Sequence, residues 1–344
     1  MDDLQLLFTS DVVGVKPTTF CTCTDNEIAE AQFIKHCREK LCLNNEGRMT
    51  FEMPWKEGFP EILKCNRAQA EACMLRQEAM LIRKGKLVEY DDEIKKLIDN
   101  GFVRRLTLDE DKDKGWYLSH HAVYQEHKST KVRIVWNSAA RYNGLCLNDG
   151  FLKGPDLLNS LVKCLLHFRK ENVAIVGEVK KIFNQIALAT CDQAYHRFVW
   201  RLGGSGNISH FQWLRLPFGD KPAPDISIMA VKLLAEQSNQ TDPEGYIRVT
   251  NRMYMDDITD SFEDQEIALK TINQVERILK KGSFTIKEWH SNFQNIDQSN
   301  ELKTRILGHL WDKSRDMMVI QLDKVSEDQV ILTKRKAASL VAKL

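Results

Sequence analysis

Residues 253–262 read Met-Tyr-Met-Asp-Asp-Ile-Thr-Asp-Ser-Phe, an apolar-flanked segment with two adjacent carboxylates, Asp256 and Asp257, near its middle. Like charges side by side repel, and burying them is costly unless a cation neutralises both. On an unbroken strand they would also point to opposite faces. The segment is therefore either a solvated turn, where Asp is common, or a β-hairpin bent so that both carboxylates reach one place. In the second case, hard oxygen ligands on a tight turn suit Mg²⁺. A two-metal phosphoryl-transfer site also needs a third carboxylate from another strand, with ions about 3.5–4 Å apart. The run Val173 to Gly177 (VAIVG) reads as a fully buried strand and delivers Glu178 at its end. Taken alone, an acid after a strand is usually a helix N-cap or first-turn residue, and it is the Asp-Asp hairpin that makes Glu178 a candidate ligand.

The rest of the chain mixes strands and helices without regular βαβ alternation, so the class is α+β. Residues 67–101 read as two helices. The first carries Ala72, Leu75, Ala79 and Ile82 on its apolar face, and the second has Asp91 as N-cap and Gly101 past its end. Residues 116–136 read as two strands around a basic turn. The stretch 155–170 is an amphipathic helix with Leu158, Leu161, Val162, Leu165 and Leu166 inward. Phe198–Leu202 and Phe211–Phe218 flank a Gly-rich hairpin turn that lacks the Gly-Lys-Ser/Thr of a P-loop. Two more helices surround the Asp-Asp hairpin, one with Ile226, Met229, Ala230, Leu233 and Leu234 as its stripe. The other opens with Asp264 and Glu266 and ends at Gly282.

Composition narrows the classes. The 344 residues suffice for about two domains. A hydrophobic share of 43% with 28% charged residues is ordinary globular usage. The net charge of +1 shows no global basic excess for nucleic acid, so any such role rests on local residues. No apolar run reaches membrane-spanning length, and no membrane partner is expected. The nine cysteines are odd in number, and Cys21 and Cys23 lack a second pair at zinc-ribbon spacing, which favours free thiols in a reducing compartment. His120-His121 reads as a strand pair, without a partner acid or cysteine at metal spacing.

Five blocks then occur in a telling order: GEVKKIFNQI, RLPFGDKPAP, MYMDDITDS, KGSFTIKEWHSN and RILGHLWD. Together they resemble reverse transcriptases, and in detail the BEL/Pao class of long-terminal-repeat retrotransposon polyproteins. The upstream stretches STKVRIVWNSAARYNGLCLND and LLFTSDVVGVKP extend the resemblance over nearly the whole chain. It implies a right-hand polymerase fold with fingers and palm, truncated at the start of the thumb. The expected division is a linker or adaptor over 1–60, fingers over 61–172, a palm over 173–300 with a fingers-like insertion near 186–215, and a primer-grip hairpin with the start of the thumb over 301–344. The chain ends where the family continues toward ribonuclease H and integrase, so other parts of a polyprotein are expected partners, in the cytoplasm, a virus-like particle or the nucleus.

The implied activity is RNA-directed DNA polymerisation on an RNA or DNA template with primer, using dNTPs and two Mg²⁺ ions, with Mn²⁺ as a substitute. Glu178, Asp256 and Asp257 match the metal-binding acids, within the motif that includes Tyr254 and Met255. Phe183 matches the aromatic gate that excludes a 2′-hydroxyl, although a core Phe fits the same position. Lys131 and Arg133 fall in the fingers hairpin, Arg133 at the triphosphate-binding position; a solvated basic turn is the alternative. Phe218 and Gly219 match the nucleotide pocket, and Lys287 matches the lysine that protonates pyrophosphate or else is simply solvated. Leu307, Gly308 and His309 match the primer grip.

One position departs from the family. The pattern has Asp where this chain has Glu178, which keeps the charge but adds a methylene and a torsion. Mg²⁺ geometry and in-line transfer are intolerant of such displacement, so metal binding is expected to persist with impaired chemistry. A catalytically inactive relic that keeps the fold and grips nucleic acid is the second reading. An unrelated metal-dependent nuclease would explain none of the other blocks.

Overall fold

The computed structural model describes residues 23–124, 132–299 and 301–319. The path opens with α1 (Cys23–Lys40), β1 (Cys42–Leu43), β2 (Met49–Phe51), α2 (Arg67–Arg83) and α3 (Leu87–Asp99). It continues through β3 (Val103–Arg105), β4 (Ser119–Tyr124), β5 (Val132–Asn137), α4 (Leu161–Phe168) and β6 (Val173–Val179). Next come β7 (Ala187–Leu188), α5 (Thr190–Gln193), β8 (Arg197–Trp200), β9 (Ser209–Trp213) and α6 (Ala223–Glu236). Then follow α7 (Pro243–Asn251), β10 (Met253–Tyr254), β11 (Asp257–Phe262) and α8 (Gln265–Lys281). The last strands are β12 (Ile286–Ser291), β13 (Lys303–Ile306), β14 (His309–Asp312) and β15 (Met317–Val319). No helix among the described residues is long and apolar enough to cross a membrane.

Contacts divide the chain into two units. The first takes residues 23–44, 49–157 and 186–226 of the described chain, and the second takes 45–48, 158–185 and 227–319. The chain therefore crosses between units instead of running through them in series. In the first unit, β9 lies between β3 and β8, and β4 pairs with β5. Indole and phenyl rings fill its core: Trp136 lies 4.7 Å from Phe198 and 5.1 Å from Trp213, centroid to centroid. His120 joins this cluster as a strand residue, bonded to Tyr90 Oη at 2.5 Å and Val199 O at 3.0 Å. Burial pushes its pKa down to about 4, so the ring is neutral.

Residues 23–60 carry the helix α1 and side chains packed into the first unit. Phe33, Cys37, Phe51 and Met53 are buried, and β2 pairs in parallel with β7, Thr50 facing Ala187. Pro54 and Pro60 interrupt helix without preventing burial. Asp91 is no N-cap; it sits inside α3, buried, where Trp200 Nε1–H (2.8 Å) and Gly203 N–H (3.1 Å) donate to it and Lys95 pairs with it at 2.8 Å. Gly101 does follow α3 with φ +65°, the left-handed conformation expected past a helix end.

Two helix faces are also corrected. On α2 the stripe with Leu75 and Ile82 faces outward, Ile82 being 58% exposed, while Ala70, Met74, Gln77, Glu78 and Leu81 face in. Polar Glu78 is tolerated inside because Arg201 pairs with it at 3.1 Å. On α4, Val162 and Leu166 are 64% and 66% exposed, and Cys164 and Phe168 are the buried residues. Phe168 faces inward because it meets Trp311 edge-on at 4.9 Å.

The second unit is built on the sheet β10-β11-β6-β12, all pairs antiparallel. Central β6 is buried from Val173 to Gly177, as its unbroken apolar run requires. Helix α8 opens as read from sequence, with Asp264 accepting the Ile267 N–H at 2.9 Å. Its exit differs by one residue: Gly282 keeps φ −102° and Ser283 takes φ +62°. The sheet β13-β14-β15 inserts Ile306 and Trp311 beside Phe168, Ala174 and Val176.

Candidate active site

The hairpin β10–β11 resolves the problem of two adjacent carboxylates by dividing them between a turn and a strand. Tyr254 faces Asp257 across the hairpin, so Met255 and Asp256 make the turn. Met255 takes φ +54°, a conformation costing a side-chain-bearing residue on the order of 1 kcal/mol. Val179 N–H donates to Asp256 O at 2.7 Å, pinning the turn to β6. One register step away, Asp257 stands directly opposite Glu178. The three acids of the sequence are thus neighbours across one antiparallel pair, and all belong to the second unit.

Their electrostatics reflect that proximity. Burial, then the charges of Asp256 and Glu178, push the Asp257 pKa up from 3.8 to about 7. Glu178 is the exposed member of β6, and its exposure has a structural cause. Ile286 pairs with Val179 and Trp289 with Gly177, so Lys287 and Glu288 together oppose Glu178 alone. This bulge turns the Lys287 ammonium to within 3.9 Å of Glu178 Oε2. Both side chains are more than half exposed, so the pair is worth little to stability. Gly177 allows the close approach of β12, since a Cβ there would lie 2.6 Å from the Trp289 ring.

Among the described residues, no three His, Cys, Asp or Glu side chains are gathered closely enough to hold a metal ion as they stand. The donor set nevertheless has the chemistry of a hard divalent cation site: two carboxylates paired across facing strands and a third in the adjoining turn, with Asp257 pushed toward protonation by burial and then by its neighbours.

Phe183 lies in the 3₁₀ turn Ile182–Gln185 that follows β6. Ile182 and Asn184 are its buried residues, and Phe183 between them is half-buried. Leu307 and Gly308 form the two-residue turn between β13 and β14, with φ +47° and +89°. Two positive φ values match the right-handed twist of a tight hairpin. Leu307 leans on the Phe168–Trp311 cluster, and His309 is exposed.

The other predicted residues belong to the first unit. Arg133 projects to solvent from β5, whose residues alternate inward and outward, and its guanidinium lies 5.3 Å from the Phe218 ring centroid. Gly219 has φ +114°, and a Cβ there would meet Trp136 O at 2.5 Å, so only glycine fits. Lys131 lies outside the described residues. Sequence reasoning did not identify the buried groups beneath this turn, namely Asp220, His196 and Ser138. Only the burial-averse Asp after Gly219 offered a signal, and it reads as ordinary turn chemistry.

The family model for reverse transcriptase (RNA-dependent DNA polymerase) matches residues 135–310, more than half of the chain. The chain belongs to the reverse transcriptase family. No curated protein sequence matches it. Among solved structures, it is similar to a foamy viral protease-reverse transcriptase in complex with double-stranded DNA, with a TM-score of 0.53 and 14% identity over 97% of this chain and 55% of that one. A foamy viral protease-reverse transcriptase in complex with an RNA/DNA hybrid matches with the same score and identity over 97% of this chain and 42% of that one. The chain thus spans about half the length of these structures. The likeness establishes the expected fold, that of the reverse transcriptase polymerase with its fingers and palm.

Proposed function

We propose that the chain is an RNA-directed DNA polymerase domain that extends a primer on an RNA or DNA template with dNTPs. The observation that carries this reading is the register pair Asp257–Glu178, with Asp256 in the adjoining turn tied to β6. Its second unit then serves as palm and its first chiefly as fingers. Glu178, Asp256 and Asp257 would hold two Mg²⁺ ions, or Mn²⁺. When bound, the ions supply Lewis-acid activation of the primer 3′-hydroxyl and neutralise charge on departing pyrophosphate.

The chain's own residues do the remainder. Arg133 binds the triphosphate through its planar fork of donors, and Phe218 and Gly219 shape the pocket beside it. Phe183 excludes a 2′-hydroxyl by contact. The Leu307-Gly308 turn positions the primer end through its backbone, with His309 beside it. Duplex is gripped through backbone and shape, consistent with the DNA and RNA/DNA hybrid held by the two foamy viral proteins. The ordered sequence blocks support a BEL/Pao-type retrotransposon origin, with a polyprotein as the larger context and the cytoplasm or a virus-like particle as the setting.

A second reading is favoured by one observation: the longer Glu178 side chain brings its Oε2 to 3.9 Å from Lys287 Nζ. In that reading the longer carboxylate disables the chemistry while the fold continues to hold nucleic acid.

Primer extension on an RNA template with Mg²⁺ or Mn²⁺ separates the two, using Glu178→Asp alongside the native chain and Asp256→Asn as the inactive control. Extension by the native chain above the control supports the polymerase. Extension by Glu178→Asp alone locates the defect at that residue. Extension by neither refutes the polymerase reading and leaves the binding fold.

A further inference from the structure

Beneath the turn that carries Phe218 and Gly219 lies a chain of fully buried polar groups. Ser138, His196 and Asp220 are 1%, 0% and 3% exposed. Ser138 Oγ–H donates to Asp220 Oδ1 at 2.6 Å, and His196 Nε2 lies 2.9 Å from Asp220 Oδ2. The other ring nitrogen, Nδ1, is 2.9 Å from Asp192 O. A carbonyl only accepts, so Nδ1 carries a hydrogen, and Nε2 is the ring atom that faces the Asp220 carboxyl group. Burial alone would lower the His196 pKa, but the Asp220 charge and hydrogen bond outweigh it and hold the pKa above its ordinary value. Asp192 is itself fixed, accepting Met53 N–H and Trp55 Nε1–H at 2.7 Å each.

A surface turn does not require this arrangement. Burying a carboxylate costs several kcal/mol unless its oxygens are satisfied, and backbone bonds alone could close the turn. What the buried chain adds is a link to β5. Ser138 directly follows that strand, and its carbonyl accepts Asn148 N–H at 3.0 Å. Asn148 in turn clasps the outer side of the turn, donating to Gly219 O at 3.2 Å and accepting Lys221 N–H at 2.8 Å. Gly219 meanwhile rests against Trp136 O. The strand that carries Arg133 and the turn that carries Phe218 are thereby joined on both sides, and the buried side ends at Asp220.

We propose that Asp220, acting through Ser138 and His196, is a positioning residue for the incoming nucleotide: it sets the height of Phe218 and Gly219 relative to Arg133. The proposal rests on the polymerase reading of the site. Its prediction concerns nucleotide affinity and not the chemical step, so it is testable whether or not Glu178 supports turnover.

The experiment measures binding without chemistry. The full chain is loaded with an RNA template and a DNA primer ending in a dideoxynucleotide. The fraction surviving a heparin challenge with Mg²⁺ present is followed against dTTP opposite a template adenine. Asp220→Ala should raise the half-saturating dTTP by about tenfold, the size of a lost buried hydrogen-bonding partner. Asp220→Asn should stay within about twofold, because its amide can donate to a neutral His196 while its oxygen still accepts from Ser138. Phe218→Ala combined with Asp220→Ala should bind no more weakly than Phe218→Ala alone, since both act on one contact.

Asp91→Ala controls for general destabilisation: it removes another buried carboxylate of the same unit, and should lower Tm without moving the dTTP curve. Unchanged affinity in Asp220→Ala, an equal shift in Asp91→Ala, or multiplying effects in the double variant would each overturn the proposal. If Asp220→Ala does not fold, Ser138→Ala removes one bond of the same chain and should raise half-saturation about threefold; no shift there overturns the proposal too. A native chain that binds primer–template but forms no dTTP-dependent complex, or binds neither, defeats the polymerase reading itself and the proposal with it.

Discussion

Replacing Asp257 with Asn should stabilise the metal-free chain increasingly as pH rises from about 5 to 8. In the folded chain, burial and the charges of Asp256 and Glu178 move its pKa from 3.8 to about 7. Between those values the folded chain keeps a proton that the unfolded chain releases, so stability falls as pH rises and the loss is complete above the folded pKa. At 1.36 kcal/mol per pKa unit, the whole displacement corresponds to about 4 kcal/mol. Part of it is already present at pH 5, and water reaching the half-buried side chain reduces the rest. The gain from Asp257→Asn should therefore grow by about 2 kcal/mol from pH 5 to 8 and level off beyond. Urea unfolding in a chelator, at about pH 5, 6.5 and 8, measures it. Glu178→Gln should recover a smaller part, because burial is the leading cause and Glu178 contributes least. Adding Mg²⁺ at pH 8 should then stabilise the native chain more than Asp257→Asn, since a ligand of the folded state alone shifts the equilibrium. A gain that does not vary with pH would refute this reasoning.

Two further substitutions test the scaffold. Gly177→Ala should cost about 1–3 kcal/mol, because the new methyl would lie 2.6 Å from a Trp289 ring that is buried and held by its bond to Glu276 at 2.9 Å; an unchanged Tm would show that β12 can move aside. Trp311→Ala should cost about 3–5 kcal/mol and remove hydrogen-exchange protection from β13–β15, since the indole supplies their contact with Phe168. Native-like protection there would mean that the hairpin stands without that contact.

Periodicity and punctuation were legible where local chemistry decides the outcome. The strand β6, the hairpin β10–β11 and the helix opened by Asp264 follow from an unbroken apolar run, a turn and a cap, and the structure realises each. Helix faces were less legible because α2 and α4 carry apolar residues all around. The inward face is chosen by distant partners, Arg201 for Glu78 and Trp311 for Phe168. The acids at 178, 256 and 257 were identified from sequence, but their contact with one another depends on strand register. The bulge that exposes Glu178 to Lys287 depends on Trp289 packing over Gly177, a relation no local window contains. The groups beneath the Gly219 turn were missed for the same reason: Ser138 and Asp220 meet across 82 positions of sequence.

The interleaving of the two units governs how the chain must be made. Strand β3 has β9 as its sheet partner, and β2 takes β7 across 137 residues, from Thr50 to Ala187. Closing a loop of that length carries an entropic cost of about 4 kcal/mol before any pairing offsets it. During translation, β2 and β3 emerge long before the strands that complete their sheets. They must wait, with edges open, until residues 186–226 leave the ribosome, an interval in which other nascent chains can pair with them. Fragments ending near residue 157 lack β7 and β9 and so leave these edges of β2 and β3 unpaired.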